Sequence, residues 1–160
     1  MAVAQPTRLR RYAAAALDGG VAIALALLPA ALAPAPKDRA FGAGLILAAA
    51  FLLLRDGFPY KEYGARSLAK RWFGMRPVPM SGNPMSLIDS VRRNATLGGA
   101  VGFIGVLKLV GGPSGFVFDG LLIGIALGLI AVEALLVGID PIGRRIGDRI
   151  ARTRVLEARA

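Results

Sequence analysis

Residues 120–139 read GLLIGIALGLIAVEALLVGI: 20 residues with one charge, Glu133. A helix needs about 20 mainly apolar residues to cross the hydrocarbon core of a bilayer. This stretch meets that length, so the chain is read as an integral membrane protein. Three further stretches extend the pattern. Residues 12–33 are 22 residues whose one charge is Asp18. Residues 40–54 are 15 residues with no charge, and 95–110 are 16 with Lys108 near the end. These two spans are short, so they must tilt little, thin the bilayer, or be partly re-entrant. The expected fold is all-α: one polytopic membrane domain over residues 1–160, with four transmembrane helices, two of them short.

Composition agrees. The chain has 160 residues, 55% hydrophobic and only 19% charged. Soluble domains of ordinary composition carry about a quarter of their residues as charges. There is no cysteine and no histidine. That excludes disulfides, zinc-finger sites, haem on histidine, and Cys- or His-based nucleophilic catalysis. No phosphate-binding loop, GxSxG or HExxH motif occurs, so neither an enzyme nor a cofactor is expected.

Lys and Arg total 20 against 10 Asp and Glu, a net charge of +10. Of these 20 basic residues, 17 fall before span one, between spans two and three, or after span four. Lys37, Arg39 and a snorkelling Lys108 are the exceptions. The positive-inside rule then places both termini and the loop 55–94 in the cytoplasm of a bacterial inner membrane. Aromatic residues fit the same frame, with Tyr12, Phe58, Tyr60, Tyr63, Trp72 and Phe73 inside, and Phe41, Phe116 and Phe118 outside. The N-terminal run imitates a signal peptide, but Asp18 and the length of the run argue for an uncleaved span. The basic excess serves topology and anionic lipid headgroups; nucleic acid is not an expected partner.

The outer turns 34–39 and 111–115 are short. The inner loop offers more. Leu68, Ala69, Trp72, Phe73 and Met75 approach helical spacing, with Arg66, Lys70 and Arg71 on the other face. This predicts a basic amphipathic helix lying flat among headgroups. A second helix is expected to start after Asn83, with Pro84 in first position, and to run through Asp89, Arg92 and Arg93 into span three. At the C-terminus, Asp140 and Pro141 suggest a helix over 140–156, with Ile139, Ile142, Ile146 and Ile150 on one face.

Glycines mark close packing. Gly120, Gly124 and Gly128 form GxxxGxxxG in span four, and Gly98, Gly102 and Gly105 share a face of span three. Small residues let helix backbones approach in lipid. The span-four motif is read as joining spans three and four, in preference to joining two subunits.

Asp18 and Glu133 are the candidate ion- or proton-binding residues. Each lies about 9 Å inside its span at 1.5 Å per residue, on the cytoplasmic side. An acid in a span costs roughly 2.5–3.5 kcal/mol at the centre, so each needs a partner or a task. They could meet, share a proton or hold a cation. They could equally be static partners of Arg11, Arg55, Arg92 or Arg93. Arg55-Asp56-Gly57 reads as a snorkelling terminator and turn, and Asp148 as a local partner of Arg144 and Arg152. No metal centre and no catalytic residue are expected.

Several ordered motifs resemble the RDD family of bacterial membrane proteins, named for one arginine and two aspartates. Arg11 (or Arg10) followed by Asp18 resembles its opening. Ser67-Leu68-Ala69-Lys70-Arg71 is similar to its SLGKR stretch, and Arg92-Arg93-Asn94 to its LRN. Asp148 through Ala151, Arg152, Thr153 and Val155 resembles its closing D-x-x-A-G-T-x-V. The second aspartate then maps to Asp148, with Asp56 the weaker choice. Ala69 and Arg152 replace family glycines, and Pro77 interrupts a strand-like continuation. The resemblance implies a membrane protein, with some members linked to sodium/proton exchange. The leading expectation is transport of Na⁺ or H⁺ by Asp18 and Glu133, in a homo-oligomer. The alternative is a non-transporting accessory or scaffold module that binds anionic lipid or a protein partner.

Overall fold

Long apolar helices dominate the computed structural model of the chain, which describes residues 5–34, 37–58, 65–112 and 115–158. About 69% of it is helical. In chain order the elements are α1 (Arg8–Leu32), α2 (Lys37–Leu54), α3 (Leu68–Trp72) and β1 (Met75–Pro79). Then follow α4 (Leu87–Leu109), α5 (Phe116–Ile139), α6 (Ile146–Ile150) and β2 (Thr153–Glu157).

Two of the four long helices, α1 and the Val117–Ile139 part of α5, are long and apolar enough to cross a membrane. Their mean hydropathies are 1.9 and 2.6, yet only 17% and 11% of these windows are buried inside the molecule. A core helix of a water-soluble protein would be mostly buried. Here Ile23, Leu27, Leu121, Ile123 and Leu127 face outward, as a lipid-facing surface requires. α2 and α4 carry more charge, with Lys37, Asp38 and Arg39 opening α2 and Asp89, Arg92 and Arg93 near the start of α4.

α2 lies between α1 and α4. Ala22 and Ala26 of α1 pack on Ala48 and Leu52 of α2, flanked by Leu97 and Val101 of α4. A Cβ added at Gly44 would collide with the Ala26 carbonyl oxygen, and one at Gly42 would stand 2.8 Å from Leu109 N. Gly98, Gly102 and Gly105 face α2 as well, against Leu53, Ala49 and Gly42. These glycines therefore pack span three against span two. The GxxxG motif of α5 makes no such seam. A Cβ at Gly120, Gly124 or Gly128 would meet nothing within 4 Å. The expected junction of spans three and four through this motif is not formed.

The remaining elements close one end of the bundle, and here the all-α expectation fails. β1 and β2 form a two-stranded antiparallel sheet, Met75 opposite Glu157 and Pro79 opposite Thr153. The expected helix over 140–156 breaks for a local reason. The Asp140 carboxylate accepts from the backbone N–H of Ile142 at 3.0 Å and of Arg144 at 3.1 Å, turning the chain at the end of α5. Only the five residues of α6 remain helical before β2. Pro77 does not interrupt β1. Met80 N donates to Arg152 O, and Ala158 N to Gly74 O, so even-numbered positions of β1 face β2 in the ladder. Pro77 and Pro79 occupy the alternate sites, where a missing N–H removes no ladder bond.

The inner-loop helix is also different. α3 spans five residues, capped by Ser67 Oγ accepting from Lys70 N. Its exposed side holds Leu68 and Trp72, while Ala69 and Lys70 are buried. The expected faces are reversed at Lys70 because a carboxylate cluster waits beneath it. Ala69, Met75 and Val155 pack on Ala14, seating the sheet and α3 against the base of α1. α4 starts at Leu87, with a capping box between Ser86 and Asp89, and runs without a break to Leu109. At the opposite end Lys108 is buried and paired with Asp119 of α5. Tyr60 and Tyr63, placed in the aromatic belt above, lie outside the described residues, as does the side chain of Phe116.

Candidate functional site

The closed end is held by charges from elements far apart in the chain. Asp18 sits on the buried stripe of α1 with Ala14, Ala22 and Ala26. Its carboxylate accepts from Ser67 Oγ at 2.9 Å and pairs with Arg55 at 3.0 Å and Lys70 at 3.4 Å. Lys70 Nζ then lies 2.8 Å from Asp56, and Asp56 faces Arg93 at 3.7 Å. Arg93 Nε is 2.6 Å from Asp148. Arg145 faces Asp148 at 3.8 Å and Glu133 of α5 at 3.5 Å. Signs alternate along one continuous path: Asp18, Lys70, Asp56, Arg93, Asp148, Arg145, Glu133. Arg55 braces it at Asp18, and Arg11 at Asp148 at 3.3 Å.

Neutral groups fill the remaining valences. Asn94 Oδ1 accepts from Arg145 at 2.6 Å and Arg55 at 3.4 Å, while its Nδ2 donates to Asp56 at 3.5 Å. Ser67 N donates to Asp56, Ser90 Oγ accepts from Asp56 N, and Thr153 donates to Asp148. Thr96 donates to Glu133 at 2.9 Å, and Gly147 N at 3.4 Å. Gly147 admits no side chain here, since its Cβ would overlap the Arg93 carbonyl oxygen.

Asp56 and Asp148 have no solvent exposure, and Arg93 has 2%. Burial alone would raise both carboxyls. Lys70, Arg93 and Arg55 outweigh it at Asp56 and hold that group far below the usual carboxylate range. Arg93, Arg145 and Arg11 likewise outweigh burial at Asp148 and lower that carboxyl. Burial brings the Lys70 ammonium down to about 8, against the opposing pull of Asp56.

The structure distributes the candidate residues as follows. Asp18 and Glu133 are both in the network but at its two ends, held by different cations. No hydrogen bond or ion pair joins them among the described residues. Arg55 is a partner of Asp18 as expected, but Arg11 turns to Asp148 and the Ile142 carbonyl. Arg93 pairs with Asp56 and Asp148, and Arg92 is exposed. Arg10 makes an exposed pair with Glu157 at 3.3 Å. Asp148 is not the local partner of Arg144 and Arg152; Arg144 pairs instead with Asp140 at 3.7 Å. Asp56 is the residue the sequence reading undervalued. Its signal was its place directly after an apolar run, beside Arg55, where two charges enter a helix end together.

The arginine near the start of the chain and the aspartate near its end are thus ion partners, and a second aspartate lies along the same network. The pattern extends beyond geometry: the chain matches the model of the RDD family over residues 5–152. It belongs to the RDD family. Together with the two apolar helices, this makes it a membrane protein. No curated protein and no solved structure matches the chain. In the RDD pattern quoted above, Arg152 stands in place of a glycine, and its backbone φ of +48° is one that glycine adopts freely. Ala69, in place of the other glycine, is buried against Ala14. Among the described residues, no group of three or more carboxylates is placed to hold a metal ion.

Proposed function

We propose that this RDD protein is a four-span inner-membrane protein, with both termini and the loop 55–94 in the cytoplasm. We infer that it acts as a non-transporting membrane module that binds anionic lipid at its cytoplasmic face. One observation carries this reading: the buried carboxylates are occupied by the protein's own cations. Asp18 and Asp56 each face two, Asp148 faces three, and five cations stand against four carboxylates in the network. A site that carries Na⁺ or H⁺ needs a carboxylate it can release from such partners. A lattice with one positive charge in excess suits an anionic headgroup instead. The reading calls on no cofactor, no nucleic acid and no catalytic residue.

A second reading rests on Glu133. It pairs with one cation, Arg145, and its Oε2 has no hydrogen-bond donor among the described residues. In that reading Glu133 and Asp18 exchange protons for Na⁺, in a homo-oligomer. Cation-driven proton flux in proteoliposomes separates the two. The lipid module gives no flux with Na⁺, Li⁺, K⁺ or Ca²⁺. Flux in the wild type that disappears in Glu133→Gln and Asp18→Asn, at equal folded incorporation, establishes the exchanger and removes the first reading.

A further inference from the structure

α5 meets α1 chiefly at their charged ends, where Tyr12 Oη donates to the Ala134 carbonyl at 2.9 Å. Beyond that bond the two helices part around a cavity of about 530 Å³. That volume lies in the range of small-molecule sites, roughly 300–1,000 Å³. The α1 wall is made of small residues, Ala14 to Ala16, Gly19 and Gly20, and a Cβ at either glycine would meet nothing within 4 Å. This is why the space exists: between Tyr12 and Ile23 the α1 residues that line it, Asp18 apart, have no side chain longer than a methyl group.

The cavity is polar at one end and apolar at the other. Arg11, Arg55, Lys70, Arg93 and Arg145 border it, but only two carboxylates, Asp18 and Glu133, do so. Asp56 and Asp148 are sealed behind these cations. Arg55 Nε and Arg93 Nη1 are buried donors without a hydrogen-bond acceptor among the described residues. At the other end Ile23 and Ile130 flank the mouth, 62% and 47% exposed on the lipid-facing sides of α1 and α5. From Arg11 to Ile23 the lining runs about 18 Å along α1, at 1.5 Å per residue.

We propose that this cavity is a binding site for one anionic phospholipid, its phosphate over the arginines and an acyl chain leaving between Ile23 and Ile130. The inference rests on the lipid-binding reading above and gives it a location. Excess positive charge at the floor and isoleucines at the mouth complement a molecule that is anionic at one end and apolar at the other. A free oxyanion would use only the floor.

The test uses the full chain purified in detergent, with phosphatidylglycerol, phosphatidylcholine of the same chains, and inorganic phosphate as probes. Native mass spectrometry is expected to retain one phosphatidylglycerol per chain under conditions that strip phosphatidylcholine. Saturating phosphatidylglycerol is expected to raise Tm by about 5 °C, with no rise from phosphatidylcholine or phosphate. Gly19→Leu adds its Cβ where nothing among the described residues lies within 4 Å and directs the side chain into the cavity, so it is expected to abolish both effects and leave the lipid-free Tm unchanged or higher. Gly20→Leu repeats the test if Gly19→Leu does not fold. An equal rise from inorganic phosphate overturns the lipid assignment. Wild-type retention of phosphatidylglycerol by the folded leucine variant overturns the cavity but leaves lipid binding on the basic surface. No preference for phosphatidylglycerol over phosphatidylcholine in the wild type overturns both.

Discussion

α2 and α5 look alike as sequence, apolar and glycine-rich, yet they are attached to the molecule in opposite ways. α2 is gripped along its length, Gly44 against the Ala26 backbone and Gly42 against Leu109. A Cβ at Gly120, Gly124 or Gly128 of α5 would meet nothing within 4 Å among the described residues, and the helix is fastened near its ends, by Glu133 and Tyr12 on one side and Lys108–Asp119 on the other. A small-residue motif permits close approach; it does not supply a neighbour. In α5 polar groups do the work that backbone contact does in α2.

The contrast can be broken at several points. The largest effect is expected from Asp148→Asn, which leaves Arg93 buried beside a neutral group and removes the carboxylate that Arg11 and Arg145 share. Breaking a buried pair on one side costs about 3–5 kcal/mol, and thermal unfolding in detergent would register it. Gly44→Ala comes next, at about 1–3 kcal/mol, because its Cβ must displace the backbone of α1. Glu133→Gln should cost about 0.5–1.5 kcal/mol, the net scale of one hydrogen bond, because Arg145 keeps Asp148 and Asn94 as partners. Its sharper signature is mobility: spin labels on α1 and α5 should show a broader distance distribution. Gly124→Ala should be neutral or stabilise by up to about 1 kcal/mol, as for a helix glycine with open space beside it. If Gly124→Ala destabilises as much as Gly44→Ala, the stripe packs against a second copy and the contrast fails.

Acid offers a further test of the charged end. Asp56 and Asp148 titrate below their unfolded values, so the folded state binds fewer protons than the unfolded state between those pKa values. The stability they contribute is complete above the ordinary carboxylate range, about pH 4, and is lost as pH falls below it. Lys70 has the same sign on the alkaline side, since its proton leaves near pH 8 in the folded state but later in the unfolded one. Tm should therefore drop as pH falls below about 4, and the Lys70 contribution should raise it between about pH 8 and 10.

The four long helices were legible because apolar length is a local property of the chain. From local pattern the path from Asp18 to Glu133 was legible at its ends, where a charge interrupts an apolar run, and at Arg93. In its middle, Lys70 and Asp148 came forward only through the resemblance to the RDD family. Asp148 stands among other charges, where nothing local separates a surface carboxylate from one that packing will bury, and Asp56 offered only its place beside Arg55 at the end of an apolar run. Lys70 shows the same limit: periodicity put it on the wet face of a helix, but its partners are on α1 and at the end of α2. Pro77 of β1 misled for a related reason, since which N–H groups enter a ladder depends on a partner strand 78 residues away, as Pro77 is from its opposite Val155.

The network also imposes an order on biosynthesis. Arg93 is followed by its closest carboxylate, Asp148, 55 residues later. At about 5–20 residues per second, that is a delay of about 3–11 seconds on the ribosome. Until then the ion pair of Arg93 is the one with Asp56, at 3.7 Å in the finished fold, and Arg11 lacks the Asp148 carboxylate it pairs with. A chain interrupted before residue 148 would therefore sit in the membrane with surplus positive charge at the end of its bundle. Completion of α6 is the step that brings Asp148 to Arg11, Arg93 and Arg145 and neutralises part of that surplus.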